Sequence, residues 1–419
     1  MKRTLAIVGS GISGMGALYA LRDEFAITLY EKADRIGGHT HTVTVEDPSG
    51  PLPVDTGFIV YNTTTYPLLT RLFEELKIKT EWSDMSFGVQ NLDTGLEWAG
   101  HNLGSVFAQK KNLLRPAFWR MVLEILRFNR TALRRAQENS EEISLGDFLR
   151  NDRYSDYFID NYIVPMGSAV WSTPARNMLD FPARTFIEFF SNHGFLEVER
   201  RVRWRTVSGG SHSYIKAILD EGKPEIQTGQ PVTSVRRTAS GKVEVTTPLE
   251  KREFDFVLMA SHANETLSML ADPTHAETEL LSHFHYQKNE AVLHFDESVL
   301  PSAPQCHAAW NFRTKSGVQA IAYSMKRLQN IKSDRHYIVS LGEFERIDEK
   351  KIIRSMTYEH PLFDLKTAQA QKSLHLLNET GPIFFSGSYF RYGFHEDGLW
   401  SASLAARRIL DVSRQLVHV

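Results

Sequence analysis

Three glycines near the start of the chain have the types and spacing of a dinucleotide-binding turn. Gly9, Gly11 and Gly14 follow an apolar run of strand type and precede a helical run that reaches Leu21. In such a turn the first glycine permits the sharp bend, the second admits a pyrophosphate, and the third lets helix and strand pack closely. Because a helix N-terminus also offers free N–H groups to phosphates, we expect this turn, including Ser13, to bind a dinucleotide.

An acidic residue follows at the position that this chemistry requires. The second apolar run, Ile27–Tyr30, ends at Glu31, with Lys32 next to it. A carboxylate there accepts hydrogen bonds from ribose hydroxyls and repels a 2′-phosphate, which argues against NADP. The alternative is a glycine-rich strand–helix turn in an unrelated parallel sheet.

Two adjacent glycines shortly after the acid suggest a second close approach of the backbone to the cofactor. Gly37 and Gly38 precede His39 and Thr40, and the run Val54–Phe58 supplies a D-x-G triplet. We therefore expect this loop to border the cofactor as well.

Cofactor-type sequence recurs in two later blocks. The second block contains Ser208–Ser211, then alternating strand-like runs that include Pro231–Val235, and a buried-strand run at Asp255–Ser261. The third block contains a strand at Pro382–Ser388, a glycine-rich loop to Gly398, and a helix predicted over Leu399–Leu410. The blocks predict a cofactor domain from residues 1–65, 207–263 and 378–419, and a substrate domain from 66–206, mostly helical, and 264–377, of mixed structure.

The order of these motifs resembles the flavoprotein amine oxidase and phytoene desaturase superfamily. Further segments resemble one bacterial subgroup of FAD-dependent oxidoreductases, namely Trp82–Phe87, Pro165–Ser172, Phe189–Gly194, Trp204–Ser211 and Gly393–Gly398. Genes of that subgroup often lie near those of methyltransferases like cyclopropane-fatty-acyl-phospholipid synthase, and the subgroup includes the flavin desaturase of furan fatty acid biosynthesis. The resemblance spans essentially the whole chain.

The resemblance implies an α/β fold with a discontinuous Rossmann-type FAD-binding domain and an α+β substrate domain, amine-oxidase-like. It places Val232 against the adenine, Gly387 and Ser388 at the ribityl chain, and the following helix N-terminus at the flavin. Ser388 stands where the superfamily usually has an acid. The residues that it puts beside the flavin are His395, Glu396 and Asp397, although helix capping is an equal alternative for the two acids.

The expected reaction is FAD-dependent desaturation of a methylated or unsaturated fatty acyl chain of a membrane lipid. His395 and Tyr392 are the candidate catalytic residues, and Glu396 and His193 are weaker candidates for the base. An amine or carotenoid-type oxidase and a non-catalytic flavoprotein partner of a lipid methyltransferase remain alternatives. No cysteine follows the pattern for covalent flavin, so we expect non-covalent FAD.

Composition excludes several classes of function. The 419 residues carry a net charge of −2, which gives no reason to expect nucleic acid as a partner. The single cysteine, Cys306, excludes an intrachain disulfide and fits a reducing compartment, so we expect a cytoplasmic protein. Scattered histidines without a third ligand predict no metal site, and no apolar run reaches the ~20 residues that cross a bilayer.

Residues 108–135 form a basic amphipathic segment. They contain eight Lys/Arg and one acid, Glu124. Helical spacing puts an apolar face opposite a basic one, and the apolar face comprises Leu114, Phe118, Met121, Val122, Ile125 and Phe128. Such a helix allows peripheral contact with the inner membrane face, the alternative being a solvated surface helix.

A second basic cluster comprises Arg200, Arg201, Arg203 and Arg205. We expect at most one of these arginines, Arg203 or Arg205, to serve the cofactor or a phosphate.

Overall fold

The computed structural model describes residues 2–138, 141–196, 202–342 and 347–416. Of the second basic cluster, Arg200 and Arg201 lie outside the described residues. The strands in the described part are β1 Arg3–Val8, β2 Phe25–Glu31, β3 Thr42–Asp47, β4 Gly50–Asp55, β5 Tyr61–Asn62, β6 Thr80–Ser83, β7 Phe87–Asn91, β8 Leu96–Ala99, β9 Trp204–Val207, β10 Glu225–Thr228, β11 Ser234–Arg237, β12 Val243–Thr246, β13 Lys251–Phe254, β14 Phe256–Met259, β15 His285–His294, β16 Trp310–Lys315, β17 Val318–Ser324, β18 Ile338–Gly342, β19 Ile352–Leu362 and β20 Ile383–Phe385.

The α-helices in the same described ranges vary from single turns to six turns. They are α1 Ile12–Leu21, α2 Pro67–Glu75, α3 Leu103–Val106, α4 Pro116–Glu138, α5 Leu145–Asn151, α6 Asp156–Phe158, α7 Val164–Trp171, α8 Ala175–Met178, α9 Ala183–Asn192, α10 His212–Gly222, α11 Ala263–Met269, α12 His275–Leu281, α13 Met325–Leu328, α14 Leu365–Gln371 and α15 His395–Gln415. Among the described helices, none combines the length and the apolar character needed to cross a bilayer.

A five-stranded parallel sheet forms the cofactor half of the molecule, in the order β10-β2-β1-β14-β20. Its central strands are almost continuously apolar and buried, as parallel strands covered on both faces must be. The carboxyl ends of β1, β2, β14 and β20 meet at one edge, which is where ligands bind in sheets of this type. This arrangement confirms the predicted Rossmann-type core.

The strands of this sheet come from residues 3–31, 225–259 and 383–385, so each of the three cofactor-type blocks contributes to it. A short strand, β9, crosses the predicted boundary between residues 206 and 207. The assignment of the complete ranges to two domains stays a prediction.

A seven-stranded sheet forms the second half, in the order β19-β15-β18-β17-β16-β7-β8. Its pairs are antiparallel except β16 with β7. Strands β15, β17 and β18 of this sheet come from residues 264–377, for which the sequence predicted mixed structure. The segment 66–206 is mostly helical as expected, but it also gives β7 and β8 to this sheet, which the sequence analysis missed.

Helix α4 corrects the predicted membrane face. Phe118, Met121 and Phe128 are fully buried in the core of the second half, so the part of the predicted apolar face that lies on α4 packs inward, whereas Leu114, which precedes the helix, is exposed. A surface helix of a globular protein buries its apolar stripe in this way. The face that α4 presents to solvent is therefore a different one.

Two element boundaries also differ from expectation. Helix α15 begins at His395 and not at Leu399, because the backbone N–H of Phe394 donates to the Asp397 carboxylate and caps the helix there. Strand β11 begins at Ser234, so Val232 lies in the connection before the strand.

Candidate active site

A cavity of about 890 Å³ lies at the carboxyl edge of the parallel sheet and extends towards the seven-stranded sheet. Eleven of the residues predicted to bind cofactor line its wall, namely Gly9, Gly11, Ser13, Glu31, Lys32, Gly38, His39, Val232, Gly387, Ser388 and His395. Gly14, Gly37 and Thr40 lie behind this wall and support it. The predicted cofactor residues from all three blocks therefore meet at one place.

The glycine turn after β1 has the geometry that its spacing predicted. Gly9 has a φ of +105°, and its N–H donates to the Tyr30 carbonyl at 2.9 Å. A Cβ on Gly14 would lie 2.0 Å from the Gly9 carbonyl oxygen, whereas a Cβ on Gly11 would meet no atom within 4 Å. Gly14 thus packs the helix against the turn, and Gly11 leaves open space for a ligand.

Glu31 connects the turn to the second glycine-rich loop. Its carboxylate accepts from the Ser10 N–H at 3.1 Å, from the Ser10 hydroxyl at 2.5 Å and from the Ala33 N–H at 2.9 Å. The Ser10 hydroxyl oxygen in turn accepts from the Gly37 N–H at 3.1 Å. A Cβ on Gly38 would lie 3.0 Å from the Gly11 Cα, so the two loops touch beside the cavity.

His395 stands on the cavity wall at the start of α15. Its ring stacks on Phe58 with centroids 3.8 Å apart, and its Nε2 lies 3.1 Å from the Thr40 hydroxyl. Burial lowers the pKa of His395 to about 3, so the imidazole is neutral at physiological pH. The side chain can exchange hydrogen bonds with a ligand but does not carry a stable positive charge.

Glu396 and Asp397 serve as caps, which corrects their prediction as cofactor contacts. Glu396 accepts from the N–H groups of Leu68 and Leu69 at 2.9 and 3.0 Å and so caps α2. Asp397 accepts from the Phe394 N–H at 3.0 Å and caps its own helix. Neither residue lines the cavity, because α15 starts four residues earlier than predicted and turns both carboxylates towards backbone donors.

Tyr392 and His193 also lie off the cavity wall. The Tyr392 ring packs against Phe189, while its carbonyl accepts from the Trp171 indole N–H at 3.0 Å. His193 stacks on the same Phe189 at 3.8 Å, and its Nδ1 lies 2.8 Å from that residue's carbonyl. Both side chains pack the wall from behind, so neither is placed to exchange a proton with a substrate.

The predicted functional arginines are likewise structural. Arg205 donates to the hydroxyl and the carbonyl of Thr80 at 2.9 Å each, and its guanidinium lies over the Trp82 ring. Arg203 lies over the same ring. Neither lines the cavity, and both guanidinium groups lie over Trp82 of β6, the strand that pairs with β9.

Sequence reasoning missed two cavity histidines, His262 and His360. His39 contacts His360 with ring centroids 5.1 Å apart, and His360 Nδ1 lies 2.9 Å from the Asn289 amide nitrogen. Burial lowers the pKa of His360 to about 4 and holds that of His39 well below its ordinary value. The sequence feature that could have indicated His360 is the alternation of side chains along β19, which puts Tyr358 and His360 on one face.

The sequence also did not predict a group of possible metal ligands on the cavity wall. Atoms of His262, Glu265 and Glu359 lie within 4.8 Å of one another. The Lys32 ammonium already bonds to Glu265, and His262 lies 3.4 Å from Glu359. The cluster is thus a charge-compensated part of the cavity wall.

The cavity wall has the polar atoms that a dinucleotide needs. The buried hydroxyl of Tyr389 and the Nε2 of His39 have no hydrogen-bond partner among the described residues, and both residues line the cavity. Buried polar groups are normally hydrogen-bonded, so these atoms indicate a polar ligand. Together with the open space over Gly11, they fit a bound FAD.

The part of the wall that belongs to the second half is mainly aromatic and aliphatic. Trp171, Phe189 and Tyr323 belong to the core of the second half and line the cavity there, with Phe195, Trp204, Trp310 and Leu341. The Tyr323 hydroxyl donates to the Ala169 carbonyl at 3.2 Å, which holds that ring in place. This part of the cavity suits an apolar substrate.

Comparison with known families settles the class of protein. The family model described as flavin containing amine oxidoreductase matches residues 12–355. The chain belongs to this family. The predicted FAD cofactor and the predicted oxidoreductase class are thereby confirmed.

Solved structures of flavin containing amine oxidoreductases and their relatives share the fold over almost the whole chain. A cofactor-binding redesign of putrescine oxidase has a TM-score of 0.70 at 17% identity and covers 98% of this chain and 99% of its own. A CLA-producing fatty acid isomerase from P. acnes has a TM-score of 0.68 at 15% identity, covering 97% and 98%. Cyclohexylamine oxidase from Brevibacterium oxydans IH-35A has a TM-score of 0.67 at 13% identity, covering 99% and 100%.

These identities show a common fold and leave the substrate open. No curated protein matches the sequence. The predicted bacterial subgroup with its associated methyltransferase stays a prediction.

Proposed function

We propose that this flavin containing amine oxidoreductase removes hydrogen from a fatty acyl chain, desaturating a methylated or unsaturated acyl group of a membrane lipid. One observation carries the proposal. The cavity continues from the nucleotide cradle at Gly11 into a chamber walled by Trp171, Phe189, Tyr323 and other apolar side chains. An acyl chain gains free energy from leaving water for such a chamber, at about 0.8 kcal/mol for each CH₂ group.

The charges on the cavity wall favour an acyl substrate over a polyamine. Three glutamates line the cavity within the described residues, and all have protein partners. Glu31 accepts from Ser10, Glu265 bonds to Lys32, and Glu359 lies beside His262. A polyamine would need a free anion or a comparable acceptor for its distal ammonium group, since an unpaired buried charge is costly.

The fold is compatible with this class of substrate in at least one structural relative. The P. acnes protein that shares the fold is described as a fatty acid isomerase that produces CLA. At 15% identity this likeness supports a lipid substrate only as a precedent for the architecture.

The oxidation removes a hydride and a proton from adjacent carbons, and FAD supplies the hydride acceptor when it is bound. The side chains of the chamber align the chain and exclude water. The proton needs a neutral base on the wall, and three half-buried imidazoles lie there: His39, His360 and His395.

We expect the FAD to be bound without a covalent link to the protein. Cys306 is buried and does not line the cavity, so a thioether to the flavin would have no cysteine to form it. Denaturation of the purified protein should therefore release all of the flavin into solution.

The test is anaerobic incubation of the FAD-loaded protein with phospholipids that carry monounsaturated or methyl-branched unsaturated chains, and separately with putrescine. We expect the absorption band of oxidised flavin to fade only with the lipid, and mass spectrometry to find an acyl product lighter by two hydrogens. Bleaching by putrescine alone would identify an amine oxidase. Bleaching by neither would support a non-catalytic flavoprotein, and stable co-purification with a lipid methyltransferase would add to that case.

A matched pair of tryptophan variants links turnover to the chamber. Trp171 lines the cavity, whereas Trp82 is more than half exposed and lies off its wall. Trp171→Ala should lower the rate of flavin reduction by lipid at least about tenfold, because the chain loses its alignment. Trp82→Ala should leave the rate within about twofold of the wild type.

A further inference from the structure

Large apolar side chains are exposed on the solvent side of α4 and on the two turns that precede it. Leu123 and Leu114 are 64% and 87% exposed, and the rest of the group consists of Leu103, Leu113, Trp119 and Leu126. We call these six residues the leucine–tryptophan face. Exposed apolar groups of this size mark interaction surfaces when they form one continuous patch.

The members of the leucine–tryptophan face are joined by contacts. Trp119, Leu123 and Leu126 follow one another at helical spacing on α4. The Trp119 indole N–H donates to the Leu113 carbonyl at 3.0 Å, and its ring packs on Phe107 at 5.2 Å. The patch therefore continues from α4 across residues 110–114 towards α3.

The segment that carries this face is rich in basic side chains. Residues 103–130 contain six Lys/Arg and a single acid, in a chain whose net charge is −2. That acid, Glu124, is buried and accepts from the Ser155 N–H, so it adds little negative charge at the surface. Five of the six cations are exposed, namely Lys110, Lys111, Arg120, Arg127 and Arg130, and of these Arg120 pairs with Glu124 at 3.2 Å.

We propose that the leucine–tryptophan face docks this protein on an anionic lipid bilayer. Leucines and a tryptophan can enter the boundary between headgroups and acyl chains, while the Lys/Arg side chains of the same segment bind lipid phosphates. A second copy of the chain is a poorer occupant, because a symmetric contact would bring two sets of cations together. The face lies opposite the buried stripe of Phe118, Met121 and Phe128, so docking leaves the core intact.

Binding of the leucine–tryptophan face to a bilayer depends only on these side chains. Its role in bringing acyl chains to the enzyme rests on the proposed function. Vesicle binding needs no turnover. An absence of binding would therefore overturn this inference and leave acyl oxidation standing, whereas a protein that binds vesicles but oxidises no lipid would overturn only the proposed function.

The test is co-sedimentation of the FAD-loaded protein with vesicles of phosphatidylglycerol and phosphatidylcholine in equal parts, compared with phosphatidylcholine alone. The wild type should bind the anionic vesicles more tightly, and added salt should weaken that binding. The double variant Leu114→Gln with Leu123→Gln should bind them at least about tenfold more weakly. Its matched control, Leu249→Gln with Leu416→Gln, changes two other exposed leucines and should bind like the wild type.

A second pair of variants tests the charges. Lys111→Glu with Arg130→Glu should lose at least about tenfold in affinity for the anionic vesicles and little for the neutral ones. Lys216→Glu with Lys366→Glu makes the same change in net charge at exposed positions elsewhere and should have a much smaller effect. Unchanged melting temperatures would show that all of these proteins are folded.

Three results would overturn the inference. The wild type could fail to bind anionic vesicles. The leucine variant could bind them as tightly as the wild type. Sedimentation could instead show a wild-type dimer that the leucine variant converts to monomers, which would assign the face to a second copy.

Discussion

Asp55 and Gln329 exchange two hydrogen bonds although they lie 274 positions apart in the sequence. The Asp55 N–H donates to Gln329 Oε1 at 2.8 Å, and Gln329 Nε2 donates to Asp55 Oδ2 at 2.7 Å. The same buried carboxylate accepts from the Ser211 N–H at 3.0 Å and from the Thr42 hydroxyl at 2.5 Å. One acidic side chain thus connects the first block, the second block and the segment 264–377.

Removing this carboxylate should destabilise the protein strongly. Asp55→Ala leaves several buried donors without an acceptor and should lower the free energy of unfolding by about 3 kcal/mol. Gln329→Ala should cost about 1–2 kcal/mol, and a double-mutant cycle should give a coupling energy of at least about 1 kcal/mol. Urea denaturation provides the measurement, with the exposed Asp220→Ala as a control. Strictly additive losses would show that the pair does not act as a unit.

Asp397 should make stability depend on pH. Burial raises the pKa of Asp397 in the folded protein from 3.8 to about 7. A carboxyl with a raised folded-state pKa stabilises the fold below about pH 4, and this contribution is lost as the pH rises to about 7. The loss is on the order of 2–4 kcal/mol.

The variant Asp397→Asn keeps an acceptor for the Phe394 N–H but cannot ionise. Its unfolding free energy should therefore exceed that of the wild type by an amount that grows between pH 4 and 7. Denaturation at a series of pH values measures this difference, and Asp411→Asn, at an exposed position of the same helix, is the control. Parallel curves for Asp397→Asn and the wild type would contradict the expected ionisation.

Gly11 should matter to the cofactor more than to the fold. A Cβ there meets no protein atom within 4 Å and points into open space at the cavity, so Gly11→Ala should fold normally but crowd the pyrophosphate. We expect an FAD dissociation constant at least about tenfold higher, with the melting temperature of the apoprotein nearly unchanged. Gly100→Ala, where a Cβ makes only an ordinary contact, is the control. Wild-type FAD affinity in Gly11→Ala would place the pyrophosphate elsewhere.

Substitutions of His395 and Tyr392 should have different effects, although the sequence predicted both residues to be catalytic. His395→Ala removes a cavity side chain that stacks on Phe58 and contacts Thr40, and it should weaken FAD binding or turnover at least about tenfold. Tyr392→Phe keeps the backbone carbonyl that Trp171 uses and should stay within about twofold of the wild type. Flavin titration and anaerobic flavin reduction measure the two effects. A severe loss of flavin reduction in Tyr392→Phe would show that the Tyr392 hydroxyl takes part in the reaction.

Local sequence patterns predicted the cofactor cradle well because each element there is specified by its own residues. The turn at Gly9, the acid Glu31 at the end of β2 and the paired glycines Gly37 and Gly38 lie next to one another along the chain. Their backbone conformations follow from short-range sterics. Parallel strands then bring their carboxyl ends to one edge without further information.

Predictions failed where a side chain had two possible partners. Glu396 and Asp397 could have contacted a cofactor or capped a helix, and the actual start of α15 decided for caps. The apolar stripe of α4 could have faced lipid or core. In the structure Phe118 and Phe128 pack into the core, and Trp119, Leu123 and Leu126 are exposed to solvent.

The sequence by itself determined that this chain has a parallel dinucleotide-binding sheet, because glycines and a terminal acid encode that site locally. Its resemblance to a flavoprotein superfamily implied that the dinucleotide is FAD. Only the tertiary structure decided which side chains enclose the substrate. The chamber combines Trp171 from α7 with Tyr323 from β17 and His360 from β19, residues that no local pattern brings together. Long-range packing sets their positions, and that packing depends on the whole chain.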